Sequence, residues 1–183
     1  MFSLFRRAKP QIHLSTLGAD GHGRTTLLSA LTQVLHRDRP DANTHVPLAQ
    51  LGSSAGPAVV QYETARARYT HQDSLAPGAG GALLAVCALD GPMPGTEEQL
   101  RAAKEAGVDR IVVALTRCDL QSDFDVLEVI GVEVSMLLDE QGFDGDSTPV
   151  VPVAAQAALR GNEAGTDSIR TLLSSMDKAF ARR

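Results

Sequence analysis

The stretch Leu17–Leu28, LGADGHGRTTLL, constrains this chain more than any other. Gly18, Gly23 and Thr25 fall on the phosphate-loop pattern G-x-x-x-x-G-K-[ST], but Arg24 stands where the pattern has lysine. The apolar run QIHLSTL (Gln11–Leu17) precedes it as a short strand. Leu27, Leu28, Leu31, Val34 and Leu35 follow at helical spacing over Arg24–Leu35. Strand, glycine loop and helix in that order are the context the motif requires. The glycines let backbone N–H groups close around phosphate, and the helix N-terminus adds partial positive charge. The Thr25 hydroxyl suits magnesium. Arg24 keeps the positive charge, but its planar fork is bulkier than an ammonium and prefers flat, bidentate contacts. A glycine-rich turn with no ligand is the other reading of the same residues. Asp20, a new acid inside the loop, is expected to pair with Arg24.

The rest of the chain repeats the alternation. Residues 36–57 are rich in Pro, Asp, Asn, Ser and Gly and read as a long loop. AVVQYETARARYTHQD reads as two strands around a turn near Ala65. GALLAVCAL (Gly81–Leu89) and RIVVALTRCD are continuous apolar runs, as in strands covered on both faces. After DGPMPG, Thr96 and Gln99 offer a capping box to a helix reaching Ala106. Val126–Leu138 is helical, with Val126, Val129, Ile130, Met136 and Leu137 as its apolar face. TPVVPVAA is a last strand, and Ile169, Leu172, Leu173 and Met176 line a last helix. This order predicts a doubly wound α/β fold with a mostly parallel sheet.

At 183 residues the chain suits one domain, expected over residues 9–183 behind an N-terminal extension at 1–8. The net charge of −5 argues against a nucleic-acid surface. No apolar run is long enough for a membrane span. Cys87 and Cys118 each close an apolar run, as small buried residues of a reduced, cytoplasmic protein do.

Longer strings point to one family. AKPQIHLSTLGADGHGRTTLLSALTQVLH, QYETARARYTHQD, LDGPMPGTEEQLRAAKEAGVDRIVVALTRCDL and TPVVPVAAQAALRGN resemble, in order, the guanine-nucleotide domain of bacterial elongation factor Tu. The resemblance implies a G domain of the phosphate-loop type, GDP or GTP with magnesium as ligands, and a protein partner. It implies no aminoacyl-tRNA binding, because the two β-barrel domains that follow in the factor are absent here.

The resemblance also implies a site in five segments. The loop would supply Gly18, Asp20, Gly21, His22, Gly23, Arg24, Thr25 and Thr26. The family's switch threonine falls on Pro57, which has no hydroxyl, with Ser53 and Ser54 nearby but out of register. The family's D-C-P-G-H becomes DSLAPGAGGALL: Asp73 matches as a magnesium position with Thr25, and Ala79 stands where the water-orienting histidine would follow. His22 and His71 match non-catalytic family positions. Eight residues separate Asp73 from an apolar strand at Ala82, too few for a helical crossover. The second switch helix is therefore expected to be deleted, uncovering an apolar part of the sheet. The guanine reader N-K-x-D becomes Thr116, Arg117, Cys118, Asp119. Asp119 would accept from the guanine edge and Arg117 would stack on the base, while Thr116 is expected to be too short to bridge to the loop. The last segment is Ala154, Ala155 and Gln156, where the Ala155 N–H replaces the family's main-chain donor.

Three functions stay open on these residues: a pseudo-GTPase acting by protein binding, a guanine-nucleotide binder with little hydrolysis, and an active GTPase with a rebuilt site.

Overall fold

The computed structural model describes residues 8–52, 56–121 and 123–181. Ser53, Ser54 and nearly all of the N-terminal extension expected at 1–8 lie outside the described residues.

Six strands form one sheet: β1 (Gln11–Leu17), β2 (Val59–Glu63), β3 (Arg68–Gln72), β4 (Gly81–Cys87), β5 (Ile111–Thr116) and β6 (Val150–Val153), in the order β2-β3-β1-β4-β5-β6. All neighbours are parallel except β2 and β3, which form an antiparallel hairpin. The hairpin turns where Thr64 Oγ1 accepts from the Ala67 N–H at 3.1 Å. Both GALLAVC and IVVALT are buried along their whole length, as their unbroken apolar runs require.

One sheet face carries α1 (Arg24–Asp38), α2 (Leu48–Gly52), α5 (Ala155–Leu159) and α6 (Glu163–Phe180). The other carries α3 (Pro94–Glu105) and α4 (Phe124–Glu140). Helix α6 starts where the Asn162 side chain accepts from the Gly165 N–H at 2.9 Å, and it buries Ile169, Leu172, Leu173, Met176 and Phe180. Helix α1 runs to Asp38, three residues beyond the expected Leu35, and stops two residues before Pro40. The loop expected over 36–57 therefore also contains α2.

Two helix details differ from expectation. Thr96 caps α3 with Met93, not Gln99: the Met93 N–H donates to Thr96 Oγ1 at 3.2 Å. In α4 the face against the sheet is Ile130, Val134 and Leu138, while Val129 and Met136 are more than half exposed.

The expected loss of a helix is present. Residues 73–80 join β3 to β4 with no helix. Register explains how so short a link spans parallel strands: Gln72 of β3 lies level with Ser15 of β1, and Gly81 of β4 level with Leu14. The chain makes no return journey; it needs only a sideways step over β1 of two strand spacings, about 10 Å. Eight residues reach about 26 Å when extended. The link lies on β1, with the Ala76 N–H donating to Ser15 Oγ at 2.9 Å and the Gly80 N–H to the His13 carbonyl at 2.8 Å. Leu75, Ala76 and Ala79 fill the space above Leu17 and Leu84.

The uncovered part of the sheet is polar, contrary to the apolar face expected. Alternation on β1, β2 and β3 points Gln11, His13, Gln61, Arg68, Thr70 and Gln72 to this side, with Val59 as the exposed apolar exception.

Candidate functional site

The phosphate loop keeps its backbone shape. Gly21 and Gly23 have φ of +83° and +84°, left-handed values that favour glycine, and α1 starts directly after Gly23. Gly18 has φ +132°, and a Cβ there would lie 2.3 Å from the Ala85 carbonyl oxygen. The loop therefore lies directly on β4. Its first helical N–H groups, at Arg24, Thr25 and Thr26, have no acceptor within the helix by their position. They form the anion-facing end that the motif calls for.

Three side chains from elsewhere fasten this loop. Gln99 of α3 meets Gly18 twice: its Oε1 accepts from the Gly18 N–H at 2.7 Å, and its Nε2 donates to the Gly18 carbonyl at 3.2 Å. Thr116 Oγ1 donates to the His22 carbonyl at 2.8 Å. The expectation that Thr116 is too short for this bridge is thus wrong. The end of β5 lies close enough to the loop for one short side chain to span the gap. Arg117, itself at φ +60°, donates from a terminal nitrogen to the Gly21 carbonyl at 2.7 Å.

His22 is buried, and its Nδ1 accepts from the Cys87 N–H at 3.3 Å. Burial lowers its pKa, which keeps that nitrogen free to accept. His71 is fully buried between Thr16 Oγ1 and the Tyr62 hydroxyl, each at 2.9 Å, and burial pushes it down to about 3. Both rings are engaged in the interior and neither faces a reacting water.

The residues expected to read the base line a cavity of about 200 Å³, formed by Gly23, Thr26, Thr116, Arg117, Asp119, Leu120, Ala155, Gln156 and Arg160. Asp119 is exposed on a short 3-10 turn (Cys118–Leu120) after β5. Ala155 opens α5, so its N–H has no acceptor within that helix. Ala154 lies just outside this cavity, its N–H donating to Ser168 Oγ at 3.1 Å. Arg160 and Gln99 were not anticipated. Gln99 carried only a capping signal, and Arg160 lacked a motif of its own.

The phosphate end is occupied by the protein itself. Thr25 Oγ1 donates to Asp73 Oδ2 at 3.0 Å, so the two magnesium positions meet. Arg24 folds back over them. One terminal nitrogen donates to the Gly18 carbonyl at 2.7 Å, the other lies 3.3 Å from Asp20 Oδ1, and Nε lies 3.2 Å from Asp73 Oδ1. The contact with Asp20 is fully exposed on the acid's side and contributes little. The contact with Asp73 is about nine-tenths buried on the acid's side. It is an ion pair by distance but lacks hydrogen-bond alignment, so Asp73 Oδ1 has no aligned donor. A hydroxyl and a carboxylate are the right donors for a hard divalent cation. Beside a guanidinium, however, a second cation within about 4 Å is repelled by roughly 4 kcal/mol per unit charge at a partly buried site. With Arg24 in this position the residues do not fit a resident magnesium ion.

A mostly parallel sheet with a glycine loop feeding α1, and a cavity beside that loop at the strand ends, is the architecture of a phosphate-loop G domain. The family model described as Elongation factor Tu GTP binding domain matches residues 74–182, more than half of the chain, and the chain belongs to that family. The matched residues include Thr116–Asp119 and Ala154–Gln156; the phosphate loop and Asp73 precede them. No helix among the described residues is long and apolar enough to cross a membrane.

Proposed function

We propose that this chain is a pseudo-GTPase: a G domain that takes GDP or GTP weakly, does not hydrolyse it, and acts through contact with a protein partner in a reducing, cytoplasmic setting. The observation that carries this reading is the bare link at 73–80, which brings no histidine and no helix to the phosphate end. Catalysis of phosphoryl transfer rests on positioning and charge stabilisation. Each positioned group contributes about 10²–10³ in rate. Within the link the one side-chain hydroxyl is Ser74, which already accepts from Gln72 Nε2 at 2.7 Å. Pro57 offers no hydroxyl from the preceding segment. The fastened loop and the base cavity with Asp119 and Ala155 support retention of weak nucleotide binding.

The exposed face of α4 favours protein contact as the output. Val129, Val132 and Met136 follow one another at helical spacing and are 56%, 60% and 59% exposed. Contiguous exposed apolar side chains of this kind are where protein contacts form.

Titration with fluorescent GDP and GTP, followed by single-turnover assay of GTP, tests the reading. Saturable binding, micromolar or weaker, with hydrolysis at the uncatalysed background is the expected result. Hydrolysis well above background overturns it. No binding at about 100 μM removes the nucleotide part and leaves the protein-binding part.

A further inference from the structure

The phosphate end poses a charge problem that the chain solves internally. Asp73 is about nine-tenths buried, and a buried carboxylate needs a compensating charge. In this structure Arg24 supplies it at 3.2 Å. Arg24 is held there by the Gly18 carbonyl, which also receives Gln99, so the guanidinium rests on a backbone group that is itself fixed from α3. The guanidinium has five N–H groups. Two of them are hydrogen-bonded, to Gly18 and Asp20, and each terminal nitrogen keeps one N–H for an incoming phosphate oxygen. Arginine is suited to this use: it is always charged, weakly hydrated and able to bind phosphate in a fork.

We propose that Arg24 takes the place of the metal ion in this site, so that the chain binds guanosine diphosphate without magnesium. The inference rests on the nucleotide-binding part of the proposed function. It makes Arg24 the specificity-determining residue for metal use. Arg24 pairs with the carboxylate that would otherwise draw in a cation and offers its remaining N–H groups to the diphosphate. The substitution of arginine for lysine and the retention of Asp73 then have one explanation: the acid serves the arginine.

The test is titration of the full chain with fluorescent GDP in excess magnesium and in excess EDTA. Equal affinities, within about twofold, are expected. A tenfold loss in EDTA, equivalent to about 1.4 kcal/mol, overturns the proposal. In Arg24→Lys the ammonium cannot contact Asp73, Gly18 and Asp20 at once as the guanidinium does, and magnesium should tighten GDP about tenfold; an Arg24→Lys variant as indifferent to magnesium as the parent also overturns it.

A second measurement needs no nucleotide. Asp73→Asn is made in the parent and in Arg24→Gln, and both pairs are melted. In Arg24→Gln the buried carboxylate has lost its cation, so Asp73→Asn should raise Tm by about 2–4 °C. In the parent it should not raise Tm. The same shift in both backgrounds overturns the proposal. If GDP binds in neither buffer, the nucleotide reading fails, and this comparison alone decides whether Arg24 holds the metal position.

Discussion

Gln99 meets the phosphate loop as one peptide group meets another across a ladder, giving and receiving one hydrogen bond each with Gly18. Gly18 cannot shift to compensate, because it lies directly on the Ala85 carbonyl. Replacing Gln99 with Leu should therefore weaken GDP about tenfold, the worth of two net hydrogen bonds of about 0.5–1.5 kcal/mol each. Hydrogen exchange at the Gly18 amide should accelerate with it; an unchanged Gly18 amide would show that the loop holds itself. The loop glycines were legible in the sequence because left-handed backbone restricts the choice of residue. Gln99 was not, since its contact spans 81 positions and leaves no local pattern. Thr116 was misjudged for a related reason. Side-chain reach depends on how near the backbones come, and the fold ends β5 within one short side chain of the loop.

Helix α4 shows what periodicity can and cannot decide. At 100° per residue, Ile130, Val134 and Leu138 form one line, and Val129, Val132 and Met136 form another. Both satisfy a helical pattern, so the helix was legible and its inward face was not. The sheet selects the first line: those residues join the buried cluster that includes Leu84, Val86 and Val113. The two lines should respond differently to the same kind of change. Val132→Glu should alter stability by no more than about 0.5 kcal/mol. Leu138→Ala, at a fully buried position, should cost about 2–5 kcal/mol. Thermal melting separates them, and a large loss for Val132→Glu would mean that the outer line packs inward. The polar sheet face beside the bare link follows the same logic. Gln11, His13, Gln61 and Thr70 alternate with inward Ile12, Leu14, Tyr62 and Tyr69, so solvent on that face is written into the strands.

The molecule as a whole should be acid-sensitive in two stages. His71 is neutral in the fold with its pKa pushed down to about 3, against 6.5 when exposed. Between those values the unfolded chain holds a proton that the folded chain refuses. Stability is full above pH 6.5 and falls about tenfold in the folding equilibrium per pH unit below it. Glu63, held down to about 2 by Lys9 and Arg68, adds a second loss as pH falls from 4.5. Urea midpoints measured against pH should show both stages, and His71→Gln should reduce the slope from pH 6.5 down to about 3, leaving the smaller share of His22 and, below 4.5, that of Glu63. The link at 73–80 carries the last consequence. It is pinned to Ser15 and His13 where it crosses β1, so the chain it has beyond a straight step is tied down and not free to advance or withdraw. A G domain built to keep time needs a segment that takes two positions. Under the proposed function this one has a single shape to offer, and a partner would read from it how many copies are present, not how long ago each was loaded.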